Sequence, residues 1–258
     1  MAVADIVAPT APPRSLAPPA STSAQTISLY ISAVFGGFLL LAFLLFPGFF
    51  PPMPPSWSAT RVAAFYADHT DRIRASMIIF NVCAIMLIPF FTVIVHQIKR
   101  MATDTQVLAY CYLSAVTSGA TLLAVADLFW LIAAFRPDRD PNLIQLLNDF
   151  AWIVFTAPVG MIVGQCLCIA IAVWLDKHET PIFPKWVAPF CVVIALLMVP
   201  AACAAAVQTG PLAWNGFISF WLRIVSYGTF LVVMFAVLRK AIAREQAEID
   251  STAIGAAA

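Results

Sequence analysis

The stretch that decides the fold is Val107–Phe135, VLAYCYLSAVTSGATLLAVADLFWLIAAF, in which Asp127 is the single charged residue. A helix needs about 20 apolar residues to cross the hydrocarbon core of a bilayer. This run exceeds that, so it can tilt or project beyond the lipid. Strands of a membrane barrel would be about 10 residues long with alternating polarity, and nothing in this run alternates. It reads as a transmembrane helix.

Five more stretches of the same character lie on either side: Ile27–Phe46, Ala75–Val95, Phe150–Leu175, Trp186–Val207 and Leu212–Leu238. The composition agrees with them. Of 258 residues 62% are hydrophobic and 10% charged, whereas a soluble domain is about 45–50% apolar and roughly a quarter charged. The fold class is therefore all-α: a polytopic membrane protein whose six-helix transmembrane bundle occupies residues 27–242. A formal net charge of +1 offers no basic stripe to a phosphate backbone, so the partner is the lipid bilayer and not nucleic acid.

Orientation follows from the basic residues of the loops. With a cytoplasmic N-terminus, the inner segments hold Arg14, Lys99, Arg100, Lys177, Lys185, Arg239, Lys240 and Arg244, against Arg61, Arg72, Arg74, Arg136 and Arg139 outside. The bias places both termini in the cytoplasm. Residues 1–26 are rich in Pro, Ala and Ser and read as a disordered tail, with no basic segment leading into an apolar core as a signal peptide would have. Residues 243–258 read as a cytoplasmic C-terminal tail. The six cysteines, Cys83, Cys111, Cys166, Cys168, Cys191 and Cys203, all fall inside spans, so there is no disulfide framework.

The first outer loop opens with Pro47, Pro51, Pro52, Pro54 and Pro55, which forbid a helix there. Ser58–His69 has helical composition, with Val62, Phe65 and Tyr66 on one side, and reads as a short interfacial helix anchored by Trp57. In the fourth span Thr156, Gly160 and Gly164 stand at four-residue spacing, which lets helix backbones approach closely. Pro89, Pro158 and Pro200 predict kinks in the second, fourth and fifth spans.

Function must rest on the polar groups at membrane depth, since such groups normally face protein or water and are paired. At about 1.5 Å of rise per residue, Asp127 lies about 12 Å below the outer surface, Arg223 about 13 Å and Asn81 about 10 Å. Around Arg223 the helical neighbours Gly216, Ser219, Phe220, Ser226 and Tyr227 form a small, polar stripe. These depths predict that Asp127 and Arg223 converge, with Asn81 and Tyr227 nearby, in an outward-facing pocket covered by Trp130 and Phe220. Asp71, Arg74 and Asp149 would sit at its mouth. The alternative is an Asp127–Arg223 pair that only locks two helices together.

No phosphate loop, HExxH, carboxylate cluster or nucleophile elbow is present. His69, His96 and His178 are too few and too scattered for a haem or di-iron site, so no cofactor or metal is expected. Asp68, His69 and Asp71 read as a solvated junction rather than a metal site.

In layout and short motifs the chain resembles a loose group of uncharacterised six-helix bacterial inner-membrane proteins. The likeness is carried by Ala75–Arg100 ending in a basic turn, by Phe135–Pro141, Leu147–Trp152 and Phe183–Trp186, and by Thr209–Gly216 before the last span. It implies a multi-pass protein of the bacterial inner membrane and nothing about a substrate. The resulting expectation is a protein that binds or handles a small, largely apolar ligand, alone or as an accessory subunit of a membrane complex, with a homo-oligomer also compatible. The alternatives are a proton-coupled transporter using Asp127, and a membrane-embedded cyclase or isomerase with Asp127 as general acid.

Overall fold

The structure is a computed structural model that describes residues 21–257; most of the tail read over 1–26 lies outside the described residues. Helix α1 (Ser23–Leu45) already includes the last residues of that tail. It is followed by α2 (Ala59–Ile85), α3 (Ile88–Arg100), α4 (Val107–Phe135), α5 (Pro141–Thr156), α6 (Gly160–Leu175), α7 (Val187–Met198) and α8 (Arg223–Ala257). A 3-10 turn over Val199–Ala205 extends α7, and a π-helical turn over Phe217–Leu222 leads into α8. End to end these make six helices long and apolar enough to cross a membrane: Ser23–Leu45, Ala59–Arg100, Val107–Phe135, Pro141–Leu175, Val187–Ala205 and Phe217–Gly255. Helix α8 continues through the C-terminal residues 243–257.

Both described termini lie at one end of the bundle. Thr22 bonds Gln246 through its backbone N–H (3.1 Å) and its hydroxyl (2.9 Å), and Gln25 donates to Glu245 at 3.0 Å. Gln97, fully buried, joins α3 to this group by donating to Gln25 (2.7 Å) and Glu245 (2.8 Å) and accepting from Arg100 (2.8 Å). At the same end, buried Asp176 accepts from the backbone N–H groups of Ala102 (3.0 Å), His178 (3.2 Å) and Ile182 (3.0 Å), and lies 2.7 Å from His178 Nδ1. Burial opposes the charge on Asp176, but the donors from Ile182, His178 and Ala102 outweigh it and hold the carboxyl below its ordinary range.

The core has two layers along the bundle. The end bearing the termini is packed by Ile94, Tyr112, Ile169, Phe183 and Phe230 among others. The opposite end is an aromatic cluster that includes Phe46, Phe49, Trp130, Trp152, Phe155 and Phe220. The seam between them coincides with the helix interruptions. Helix α2 gives way to α3 at Met86–Leu87, α5 to α6 at Ala157–Val159, α7 to its 3-10 extension near Val199, and the π-turn to α8 at Leu222–Arg223. Three of these breaks have the predicted prolines beside them: Pro89 and Pro200 near the starts of their segments, and Pro158 between α5 and α6. The first break is held by Ser32 of α1, whose hydroxyl accepts from Phe90 N–H (3.0 Å) and donates to Met86 O (3.3 Å).

The Ser58–His69 stretch differs from its sequence reading. It is the first part of α2, started by Ser58, whose hydroxyl accepts from Arg61 N–H, and joined to the rest by a kink at His69 (φ −122°, ψ 15°). Val62 and Tyr66 are buried in the aromatic layer, because the bundle itself offers them an apolar surface. The close approach predicted in the fourth span holds at Gly164, where an added Cβ would lie 3.9 Å from Ala115 of α4; at Gly160 nothing is within 4 Å.

Candidate functional site

Asp127 is fully buried on α4, and its Oδ2 accepts a 2.7 Å hydrogen bond from Asn81 Nδ2 on α2. Its Oδ1 has no hydrogen-bond partner. Asn81 itself is exposed on the outer face of the bundle, among the exposed side chains Ile78, Val82 and Ile85 of the same helix. The amide therefore closes the carboxylate off from the surroundings.

Arg223 does not join this pair, which corrects the predicted Asp127–Arg223 convergence: the two form no ion pair. Arg223 is only 7% exposed, and its guanidinium lies over the ring of Phe155 on α5, 4.6 Å from the centroid. Its Nε and Nη2 have no hydrogen-bond partner. The reason is helix order. Helix α4 packs against α2, α3, α5 and α6, while α8 packs against α1, α3 and α7. The aromatic group of α4 and α5 links the two charges instead of a direct contact. Phe155 lies 5.5 Å from Trp130, one turn beyond Asp127, and Trp130 lies 5.1 Å from Trp152.

The remaining predicted residues separate in the same way. Trp130 is fully buried and packs on Phe46 and Phe49 as well as Trp152 and Phe155, so it belongs to the core and lines neither cavity described below. Tyr227 packs into the other layer and stacks on Phe230 at 5.9 Å. Arg74 is committed to the end of α4, donating from Nε to Ala134 O and from Nη2 to Phe135 O, both at 3.1 Å. A cation is favourable at a helix C-terminus, so Arg74 caps α4 rather than guarding a pocket. Its partner Asp71 is solvent-exposed at 3.9 Å.

Asp149 does border a cavity. A cleft of about 120 Å³ lies at the end opposite the termini, between α5, which supplies Asp149 and Ile153, and the chain from Ala204 to Trp214. Asn148 next to it is buried, accepts from Tyr66 Oη at 3.0 Å and reaches Asp149 at 3.5 Å. Trp214 is pinned by its indole N–H, which donates to Met53 O at 2.8 Å. The turn after it is tight: a Cβ on Gly216 would come within 2.3 Å of Pro211 O, so the chain can fold back there only with glycine. Asp149, Ile153 and Thr156 stand at i, i+4 and i+7, on one face of α5. This face runs from the cleft to the level of Phe155. Thr156 Oγ1 and Trp152 Nε1 are buried there without partners.

A second cavity, of about 280 Å³, lies at the end bearing the termini, between the segment before α7 and the outer side of α8. Sequence reasoning missed both Thr156 as a polar group and the Ala204–Trp214 wall. Thr156 had shown only its small size, and the wall is made of residues that look like the end of a span. Comparison with protein-family models, curated proteins and solved structures found no match.

Proposed function

We propose that this chain is a membrane-embedded binding protein that takes a small, largely apolar molecule with one polar group into the outer end of its bundle. It works alone or as an accessory subunit, in the bacterial inner membrane, with the end bearing the termini in the cytoplasm. The observation that carries the reading is Arg223, a guanidinium almost enclosed by protein, with no acidic partner and with Nε and Nη2 unbonded. Buried polar groups are nearly always satisfied. Ionisable residues within a membrane bundle are rare and mark substrate or ion sites, and broken helices are where many transporters place such sites.

The proposed entrance is the cleft beside Asp149, from which the Asp149–Ile153–Thr156 face of α5 leads towards Phe155 and the Arg223 guanidinium above it. Its volume of about 120 Å³ is close to the roughly 150 Å³ that admits a benzene-sized guest. Asp149 and Gln208 are polar residues of its lining, while Ile153 and Trp214 offer apolar surface. Unfolding temperature of the full-length protein in detergent, measured with benzene, indole and benzoate, tests the reading. Benzoate should stabilise most, because its carboxylate suits Arg223. Ala205→Trp, which fills the cleft from an exposed position, should abolish the effect. The reading fails if no ring-sized probe stabilises the protein or if Ala205→Trp leaves the stabilisation unchanged.

The second reading, a proton-coupled transporter, is favoured by the alignment of four helix interruptions at one level. Uptake of benzoate into reconstituted vesicles that follows an imposed pH gradient would select it. Uptake indifferent to the gradient would reject it.

A further inference from the structure

At the end of the bundle bearing the termini, most cations are already engaged. Arg100 pairs with Glu245 (3.2 Å) and Glu248 (2.7 Å), and Lys177 with Asp104 (2.8 Å). Lys185 donates to the carbonyls of Val173 and Asp176, both at 2.8 Å. Lys240 and Arg244 differ. Both are exposed, they stand one turn apart on the same face of α8, and neither forms an ion pair with a described residue. Arg244 makes one hydrogen bond, from Nη1 to Pro181 O at 3.2 Å, which holds its side chain against the segment ahead of α7.

These two cations border the groove of about 280 Å³. Its floor is apolar and comes from Ile182, Val233, Val237 and Ala241. Trp186, 52% exposed, forms one wall. Lys240 follows Phe217 by a helical length of about 35 Å, against a hydrocarbon core of about 30 Å. The floor at Val233 and Val237 therefore lies on the acyl-chain side of Lys240 and Arg244, which reach the depth of headgroups. An exposed tryptophan at that level is where membrane proteins place interfacial aromatics.

We propose that this groove is a binding site for an anionic phospholipid of the surrounding bilayer, with an acyl chain along the floor and the headgroup phosphate between Lys240 and Arg244. The apolar floor alone would accept any lipid chain. The two unneutralised cations select a headgroup of net negative charge, the guanidinium contributing paired N–H donors and the ammonium a compact charge. Basic pockets between helices at a membrane surface recognise anionic headgroups by this combination.

The experiment uses the full-length protein in detergent micelles doped with dioleoylphosphatidylglycerol or dioleoylphosphatidylcholine, with bound lipid read by native mass spectrometry and by titration. The anionic lipid should saturate at one per chain and the zwitterionic lipid should not. Lys240→Gln and Arg244→Gln should each weaken binding about fivefold. Ala236→Trp should abolish it by filling the groove without changing charge, while Arg239→Gln, an exposed neighbour outside the lining, should leave it intact. Equal retention of the two lipids overturns the proposal. So does a loss on Arg239→Gln as large as on Lys240→Gln, which would indicate a diffuse surface potential. Displacement of the lipid by inorganic phosphate alone overturns it as well.

Discussion

Replacing Arg223 with methionine separates a ligand-binding guanidinium from a structural one. The native side chain gains a cation–π contact with Phe155 at 4.6 Å, worth about 1–2 kcal/mol in a desolvated site. Against this, Nε and Nη2 are enclosed without partners, and each such donor costs about 1–3 kcal/mol. Methionine keeps much of the apolar stem and removes both donors. The ligand-free protein should therefore be as stable as the native form or more stable by up to about 4 kcal/mol, as when buried ions give way to apolar residues. Stabilisation by benzoate should vanish in the same variant. Equilibrium unfolding in mixed detergent and denaturant, with and without benzoate, provides both readings. A cycle with Asp127→Asn adds a further check, because residues that do not touch should combine additively within about 0.5 kcal/mol. Destabilisation of the ligand-free protein by more than about 2 kcal/mol, or a coupling above about 1 kcal/mol, would mean that Arg223 locks helices together, and the argument from its orphaned donors would be wrong.

Asn81→Leu should cost about 1.5–3 kcal/mol by stripping the buried Asp127 carboxylate of its 2.7 Å donor. Adding Asp127→Leu should recover most of that loss in the same unfolding assay, since removing both partners leaves no buried group unpaired. Asp176 tests the opposite end of the bundle. Its carboxyl is held below the ordinary range in the folded state, so its contribution to stability is present above the unfolded value, near pH 4, and is lost as pH falls through the lower folded value. Asp176→Asn should therefore lower stability at pH 7 and flatten the acid limb of the stability curve below about pH 4; unfolding midpoints measured from pH 2 to 7 check this.

Some of this was open to sequence reading because it depends on one dimension. Six apolar stretches of sufficient length become six helices of the bundle, and the prolines at 89, 158 and 200 mark where three of them break. Depth along a helix follows from residue count, which puts Asp127 and Asn81 at similar depths, and the two side chains share a hydrogen bond. Composition also showed Lys240 and Arg244 beyond the end of the last apolar stretch. It could not show that they border an apolar groove, because the facing wall comes from Ile182–Trp186, more than fifty residues earlier.

What only the tertiary structure decided is direction around each helix and the order of helices around the bundle. Asp127 and Arg223 share a depth, yet α4 and α8 pack against different neighbours, and Arg223 rests on Phe155 instead. The π-turn over Phe217–Leu222 sets the direction in which Arg223 points, and no hydropathy pattern encodes such a turn. Apolar length is a sum over residues that any single helix must satisfy by itself, because lipid offers its backbone no hydrogen bonds. Which polar group faces which neighbour depends on how all six helices pack at once, and that information exists only in the folded bundle.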